Sequence, residues 1–139
     1  MLLSYPSGVI MSDDMGTFRT TIQIENPLRR GERRPLEGVL VDTGAELSWV
    51  PGPLLESLGI LRDKRLDFRQ ASGTVLSRWT GIALVHAAGT WTVDHVVFGE
   101  PADMVLLGAR SLEGLNLRVD PVLKQLIDAG PAPAALAVA

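Results

Sequence analysis

Apolar and polar residues alternate along much of the chain, and this period of two predicts β-strands. Residues 17–25 show the pattern clearly, because Phe18, Ile22 and Ile24 are apolar among polar and β-branched neighbours. Turn-forming residues separate the runs, so we predict an all-β fold of short strands. The other runs that predict strands are residues 36–41, 47–50, 66–69, 74–79, 81–87, 90–98 and 117–127, the last interrupted by Pro121.

Two helical segments and two hairpin turns complete the predicted elements. Residues 53–59 begin with proline and end with glycine, as helix ends prefer, and predict one or two helical turns. Residues 109–115 predict a second short helix after an apolar run. Gln-Ala-Ser-Gly at residues 70–73 and Ala-Gly at residues 88–89 separate alternating runs, so each predicts a β-hairpin.

Length and composition are those of one globular domain with a modest core. The chain has 139 residues, of which 46% are hydrophobic and 21% are charged. We expect a loose lead-in over residues 1–15, one domain over residues 16–128 and a disordered Pro/Ala-rich tail over residues 129–139. The net charge of −3 gives no electrostatic case for a nucleic-acid partner, and we interpret the interrupted arginines of residues 29–34 as a solvated hairpin loop.

Cysteine and histidine usage excludes several kinds of site. With no cysteine, the chain has no disulfide, thiol nucleophile or cysteine-based zinc site. His86 and His95 lack the spacing of a metal motif, and we interpret them as surface or hydrogen-bonded strand residues, so no metal and no cofactor are expected. Residues 1–5 lack the features of a signal peptide, and no run approaches the ~18 apolar residues of a membrane helix. We therefore expect a cytoplasmic protein with no membrane partner.

Candidate chemistry lies in the turn that follows the strand of residues 36–41. Asp42 comes directly after the apolar run Val-Leu-Val, so its carboxylate is expected where a buried strand meets a cleft. The hydroxyl of Thr43 can bond nearby backbone, and Gly44 allows close approach of another chain segment. The order hydrophobic-hydrophobic-Asp-Thr-Gly, followed by Ala45, resembles the catalytic motif of the retropepsin (retroviral-type) aspartic peptidases.

A second signature extends the resemblance. Leu106, Leu107 and Gly108 precede the predicted helix and match the apolar-apolar-Gly-helix pattern of retropepsins, in which this strand crosses behind the catalytic loop. The hairpin at residues 70–73 lies at about the position of the flap, the hairpin that covers the substrate. The resemblance spans residues 17–127 and implies a bacterial-type single-domain member: a closed acid-protease β-barrel with a flap hairpin and one short C-terminal helix.

The chain carries one copy of Asp-Thr-Gly and no Asp-Ser-Gly, and this fact determines the expected assembly. Peptide hydrolysis by this route needs two carboxyl groups that face each other across one water and share a proton, as is established for aspartic proteases. With one Asp42 per chain, two chains must meet on a twofold axis. The resemblance therefore implies an aspartic endopeptidase, active as a homodimer on a peptide or protein substrate, with Asp42, Thr43 and Gly44 as its catalytic residues.

The resemblance also implies further site residues and a working pH nearer neutral than that of pepsin. Glu46 fills the position of an acid that pairs with an arginine of the C-terminal helix in the family, so a Glu46–Arg110 ion pair is a hypothesis. The residues expected to contact substrate are Ala45, Glu46, the flap-tip residues Ala71, Ser72, Gly73 and Thr74, and Val105, with Trp49 and Trp79 as further candidates.

Two other interpretations stay open, since a fold does not determine a function. A dimeric binding or assembly module of the same fold, without catalysis, is favoured by a flap tip that is poorer in glycine than the retroviral one. In the other interpretation, the chain is an unrelated small β-barrel in which Asp42 merely begins a turn. A strictly monomeric protein would favour that interpretation.

Overall fold

The computed structural model describes residues 18–135 of the chain. Within that range it contains nine β-strands and two short α-helices, which confirms the all-β prediction. The predicted lead-in over residues 1–15 lies outside the described residues, as do residues 136–139 of the predicted tail, and residues 129–135 contain no helix or strand. No helix in the described range is long and apolar enough to cross a bilayer.

The elements follow the predicted order along the chain, but the runs predicted as separate strands at residues 74–79 and 81–87 form one continuous strand, because pairing with the next strand continues through Thr80 and Gly81. Both helical segments and both hairpins are present where the sequence predicts them. The strands are β1 (Phe18–Glu25), β2 (Arg33–Val41), β3 (Ser48–Pro51), β4 (Lys64–Arg69), β5 (Val75–Ala87), β6 (Thr90–Gly99), β7 (Leu106–Leu107), β8 (Leu117–Asp120) and β9 (Gln125–Asp128), and the helices are α1 (Gly52–Ser57) and α2 (Ala109–Gly114).

Strand β2 begins earlier than the apolar pattern predicts. The pattern places its start at residue 36, but residues 33–35 already pair with Gln23, Ile24 and Glu25 of β1. Backbone hydrogen bonding rather than burial extends the strand, because this end of β2 is exposed to solvent. The early start brings the arginine-rich loop, residues 26–32, against the end of β1.

Seven strands form one sheet in the order β1-β2-β7-β3-β6-β5-β4. Strand β5 also pairs with β1, so the hydrogen-bonding path from β1 through β5 returns to its start. Among the described strands, β4 pairs only with β5 and forms a hairpin extension of this circuit, and β8 and β9 form a separate two-stranded sheet. The circuit thus includes both strands that flank the candidate turn, β2 and β3.

Apolar residues from the strands of the circuit and from both helices pack into one core. Burial follows the predicted alternation, since Val39 and Val41 of β2 are buried and the residue between them is partly exposed. Each fully buried aliphatic side chain of this kind contributes about 1.5–3 kcal/mol by leaving water. Leu107 of β7 and Leu112 of α2 belong to this core, so burial anchors two elements that neighbour the candidate turn.

The two-residue strand β7 lies between β2 and β3. It pairs in parallel with β2, through Leu40↔Leu106 and Val41↔Leu107, and antiparallel with β3 through Trp49↔Leu106. A segment from late in the chain therefore sets the spacing between the strand that leads into the candidate turn and the strand that leaves it.

Candidate active site

The candidate turn begins at Asp42, immediately after β2. Asp42 N donates a hydrogen bond to the carbonyl oxygen of Leu107 at 3.0 Å, so β7 holds the start of the turn. Ala45 N donates to the carbonyl oxygen of Asp42 at 3.2 Å and closes the turn. Gly44 N donates to Asp42 Oδ1 at 2.9 Å and orients the carboxylate. Hydrogen bonds to the backbone thus fix both the main chain and the side chain of Asp42.

The Asp42 carboxylate keeps most of its hydrogen-bonding capacity free. The residue is partly exposed, and within residues 18–135 Gly44 N is the only donor to its side chain. Because a carboxylate accepts about four hydrogen bonds, the others are available to water, to a substrate or to a second carboxyl. The neighbouring Thr43 is exposed, and its hydroxyl makes no hydrogen bond in the described part of the chain. One chain therefore presents these side chains outward.

The segment after β7 runs against the backbone of the turn. A Cβ atom on Gly108 would lie 2.5 Å from the carbonyl oxygen of Leu47 and 2.9 Å from that of Ala45, so only glycine fits there. The amides of residues 109–110 donate to the carbonyl oxygens of Ala45 and Glu46 at 2.7 and 2.9 Å. The Leu-Leu-Gly segment therefore lies against the turn, as the resemblance implies.

The Glu46–Arg110 ion pair that was hypothesised from the sequence is present. Arg110 Nη2 donates to Glu46 Oε2. The two side chains are 49% and 72% exposed for Arg110 and Glu46, and exposed pairs of this kind contribute about 0.2–1 kcal/mol. The pair links the surface of α2 to the turn, whereas the backbone hydrogen bonds above provide the closer attachment.

Three polar residues that the sequence does not bring together meet beside Gly108. Gly108 N donates to Ser48 Oγ at 2.9 Å, Ser48 Oγ lies 2.7 Å from Ser111 Oγ, and Ser111 Oγ donates to Asp94 Oδ2 at 3.0 Å. Both serines are fully buried. Single serines in a strand and a helix give no periodic signal, and the two side-chain contacts span 63 and 17 positions. Sequence patterns therefore cannot reveal this group.

The residues predicted to form the flap tip lie at the exposed end of the β4–β5 hairpin. Gly73, with a φ of +92° that suits glycine, donates its N–H to the carbonyl oxygen of Gln70 at 2.9 Å. Gln70 N donates to the carbonyl oxygen of Thr74 at 2.8 Å. The Ser72 hydroxyl accepts from Thr74 N at 3.3 Å and donates to Thr74 Oγ1 at 3.1 Å. With Ala71 also exposed, the tip is a turn closed by its own hydrogen bonds.

Two contacts hold the strands of this hairpin, one close to its tip and one nearer its middle. Phe68 of β4 packs against Trp49 of β3, with ring centroids 5.1 Å apart. Arg78 of β5 donates two hydrogen bonds to the carboxylate of Asp103, at 2.7 and 2.9 Å. Burial opposes ionisation of Asp103, but the hydrogen bonds from Arg78 and from Glu100 N outweigh it and lower the pKa of Asp103, and the same contact raises the pKa of Arg78. These contacts attach the hairpin to the rest of the structure as far as Phe68, one residue from the end of β4.

Two other candidate substrate contacts lie in different surroundings. Val105 is partly buried against the core, and its carbonyl oxygen accepts a hydrogen bond from β2 at 3.1 Å, so it supports the strand that carries Asp42. Trp79 is exposed and has the Arg65 guanidinium over its ring at 5.6 Å. The cross-strand register places Trp79 and Phe68 on opposite faces of the hairpin. Trp79 is therefore not on the face that meets β3.

A second carboxylate, Glu25, lies at the opposite end of the β1–β2 ladder from Asp42. Its side chain is 1% exposed and accepts hydrogen bonds from Gly31 N, from Arg30 Nε at 3.2 Å and from His86 Nε2 at 2.7 Å. The hydrogen bond from Gly31 N is the main cause that lowers the pKa of Glu25 to about 2, against the opposing effect of burial. The arginines of residues 29–34 are exposed, as the predicted solvated hairpin loop requires, and two of them, Arg30 and Arg33, also form ion pairs with the buried Glu25.

The remaining polar groups do not form a metal site. In the described part of the chain, no three His, Asp or Glu side chains are arranged to hold a metal ion. His95 bonds to Asp63 at 3.1 Å and is the hydrogen-bonded strand histidine that the sequence predicts. A depression of about 350 Å³ beside the Glu25 cluster is lined in part by Arg33, His86 and Trp91. Since Arg33 and His86 already contact Glu25, it offers a ligand little unpaired charge.

Comparison with known proteins does not assign the chain to a family. No protein-family model matches it, and no curated protein matches it. Its function must therefore be inferred from the fold and from the geometry around Asp42.

Proposed function

We propose that the protein is an aspartic endopeptidase with a retropepsin-like fold, active as a homodimer. The observation that carries the proposal is the way the Asp42 turn is built. A late strand, β7, passes between β2 and β3 and accepts the Asp42 amide hydrogen bond, while Gly108 packs directly on the backbone of the turn. The return pairing of β5 with β1 supports the closed barrel that such a fold requires.

In the proposed dimer, the two Asp42 carboxyls face each other across one water. The ionised carboxyl takes a proton from the water as its oxygen attacks the carbonyl carbon of the peptide bond, and the protonated carboxyl donates to the carbonyl oxygen. The diol then collapses: the carboxyl that has become ionised takes a hydroxyl proton, the C–N bond breaks, and the carboxyl that was protonated by the water donates that proton to the nitrogen. The products are a carboxylic acid and an amine.

The free hydrogen-bonding capacity of Asp42 supports this chemistry. Gly44 N fixes one carboxylate oxygen and leaves the other free for water and the second carboxyl. The exposed Thr43 hydroxyl is available to bond the partner's turn. In the proposal, the β4–β5 hairpin covers the peptide with its tip, and Ala45, Glu46 and Val105 contact the peptide from the side of the turn.

The proposal is tested by cleavage of an unstructured protein across roughly pH 3 to 8, with and without pepstatin. We expect Asp42→Asn to lower cleavage by at least about 100-fold, because it removes both the acid and the base. Asp128→Asn is a matched control, since Gly130 N donates to Asp128 Oδ1 at 2.7 Å in the same local arrangement at an exposed site. Undiminished cleavage by dimeric Asp42→Asn, or cleavage by a monomeric wild type, contradicts the proposal.

A second candidate function is a dimeric module of the same fold that binds peptides without cleaving them. It is favoured by the closed flap tip, because the N–H groups of Gly73 and Thr74 are already used within the turn and are not free for a bound peptide. A dimer that binds an unstructured protein and leaves it intact at every pH tested would support this candidate and reject the peptidase.

A further inference from the structure

The contacts among Ser48, Ser111 and Asp94 form a hydrogen-bond chain with one direction. A serine hydroxyl has one proton to donate, and an ionised carboxylate only accepts. Ser111 donates to Asp94 Oδ2, so it accepts from the Ser48 hydroxyl, whose oxygen accepts from Gly108 N. Every donor in the chain then has an acceptor, as buried polar groups require.

One peptide group extends this chain to Asp42. The N–H of Gly108 and the C=O of Leu107 belong to the same peptide unit. Its N–H donates to Ser48 Oγ at 2.9 Å, and its C=O accepts from Asp42 N at 3.0 Å. The hydrogen bonds therefore run head to tail from the Asp42 amide to the Asp94 carboxylate. Hydrogen bonds aligned in this way polarise and strengthen one another in a low-dielectric interior.

We infer that Asp94 is a positioning residue that acts through Ser111 and Ser48 on the backbone of Asp42. The carboxylate of Asp94 is itself held, because its second oxygen accepts from His95 N at 2.8 Å. Both serines are fully buried, and apolar side chains in their place would avoid the cost of desolvating polar groups. A directed polar chain instead fixes one geometry of the peptide group that supports Asp42. The catalytic consequence rests on the proposed function, whereas the chain itself is a property of the fold.

The amide of Asp42 reports on this chain without any need for activity. We would measure its hydrogen-exchange rate and amide proton shift by NMR in the full-length chain with Asp94→Asn and with Ser111→Ala. Exchange at Asp42 is expected to become about five- to tenfold faster in both variants, because its acceptor is less polarised. Ser57→Ala is the control: its hydroxyl donates to Leu54 O at 2.7 Å within α1, away from the chain. It should leave the Asp42 amide unchanged.

Kinetics then test the positioning role. Displacement of a reacting group by about 1 Å costs up to about 100-fold in rate. In an active enzyme, Asp94→Asn and Ser111→Ala should therefore each lower kcat by about 10- to 100-fold and leave KM within about twofold. The double variant should be no worse than the poorer single variant, because both changes break the same chain.

The outcomes separate this inference from the proposed function. An unchanged Asp42 amide in folded Asp94→Asn and Ser111→Ala overturns the inference, whatever the activity. Faster exchange with unchanged kcat overturns the positioning role, and so does a loss that appears only in KM. If the wild type is inactive while the Asp42 amide responds as expected, the peptidase proposal fails and the hydrogen-bond chain stands.

Discussion

Two carboxylates at opposite ends of the β1–β2 ladder illustrate two uses of an acidic side chain. Glu25 is buried and is contacted by Gly31 N, two arginines and His86. Asp42 is partly exposed and accepts one hydrogen bond within the described chain, from Gly44 N. The carboxylate with many partners is held ionised, with a pKa of about 2, and has no capacity left for chemistry.

A perturbed pKa therefore does not by itself identify an active site. The pKa of Glu25 is lowered to about 2, yet its contacts with Gly31 and Arg30 tie the arginine-rich loop to the sheet, and its contact with His86 joins β1 to β5. Asp42 is instead held by its backbone, and most of its side-chain acceptors stay open. A catalytic carboxyl needs both properties, because it must be fixed in place and still exchange protons with a substrate.

Glu25→Gln is expected to have one of the two largest effects on stability. Loss of the charge leaves several donors poorly paired and should lower the free energy of unfolding by about 2–3 kcal/mol at neutral pH. The loss is limited because Arg30 and Arg33 are 55% and 49% exposed and can turn to water. Asp42→Asn should change the same quantity by less than about 0.5 kcal/mol. Urea unfolding of both variants and the wild type measures this contrast.

The pH dependence of the free energy of unfolding tests the role of the Glu25 charge directly. The pKa of Glu25 falls from its ordinary value of 4.5 to about 2 on folding, so its contribution to stability is present above about pH 4.5 and is lost as the pH falls towards 2. The stability advantage of the wild type over Glu25→Gln should shrink across that window. Parallel stability curves for the two proteins over the window would show that the Glu25 charge is not what holds the loop.

The sequence predicts the two carboxylates unequally well. Asp42 lies in a local motif after an apolar run, so both its turn and its outward presentation follow from neighbouring residues. Glu25 looks like an ordinary polar end of a strand. Its burial depends on the pairing of β1 with β5, which brings His86 to it across 61 positions, and on the early start of β2. Contacts of that range leave no pattern in a single sequence.

The contacts that hold the Asp42 turn in place are also hard to predict from the sequence. The Leu-Leu-Gly segment is predicted to cross behind the turn only because of the family resemblance, whereas Ser48, Ser111 and Asp94 have no counterpart in any local pattern. Strand positions follow from alternation, but the partner of each strand is decided by core packing and by backbone pairing. The sequence therefore predicts most elements and the candidate turn. The hydrogen bonds among Ser48, Ser111 and Asp94 beside the turn are seen only in the structure.

A pair of glycines beside the two carboxylates provides the next comparison. Gly108 has no room for a Cβ atom, which would lie 2.5 Å from the backbone oxygen of Leu47. Gly31 has open space but a φ of +103°. Gly108→Ala should cost about 2–3 kcal/mol through overpacking and should abolish cleavage because the turn must shift. Gly31→Ala should cost about 1–2 kcal/mol through backbone strain and leave cleavage intact.

Chemical denaturation and the cleavage assay are applied to both variants. Together they distinguish the effect of overpacking at residue 108 from the effect of backbone strain at residue 31. The two variants are matched because Gly108 packs on the turn that carries Asp42, Gly31 N bonds Glu25, and both changes add one methyl group. Equal losses of cleavage in Gly108→Ala and Gly31→Ala would mean that global stability, and not the packing of residue 108 on the turn, controls the site.

The smallest expected effect concerns the exposed pair Glu46–Arg110, which lies beside the turn on its solvent side. Its geometry is that of a close ion pair, but both side chains stand largely in water, so solvent screening leaves a coupling energy of about 0.2–1 kcal/mol. A double-mutant cycle with Glu46→Ala, Arg110→Ala and the double variant measures it, and the coupling should fall further in roughly 1 M salt. The backbone hydrogen bond from Arg110 N to Glu46 O remains in all three variants, so cleavage should stay within about threefold of wild type. A coupling well above 1 kcal/mol, or a large loss of cleavage in either single variant, would contradict this prediction. It would mean that the ion pair contributes as the buried contacts of Glu25 do, and not as an exposed pair does.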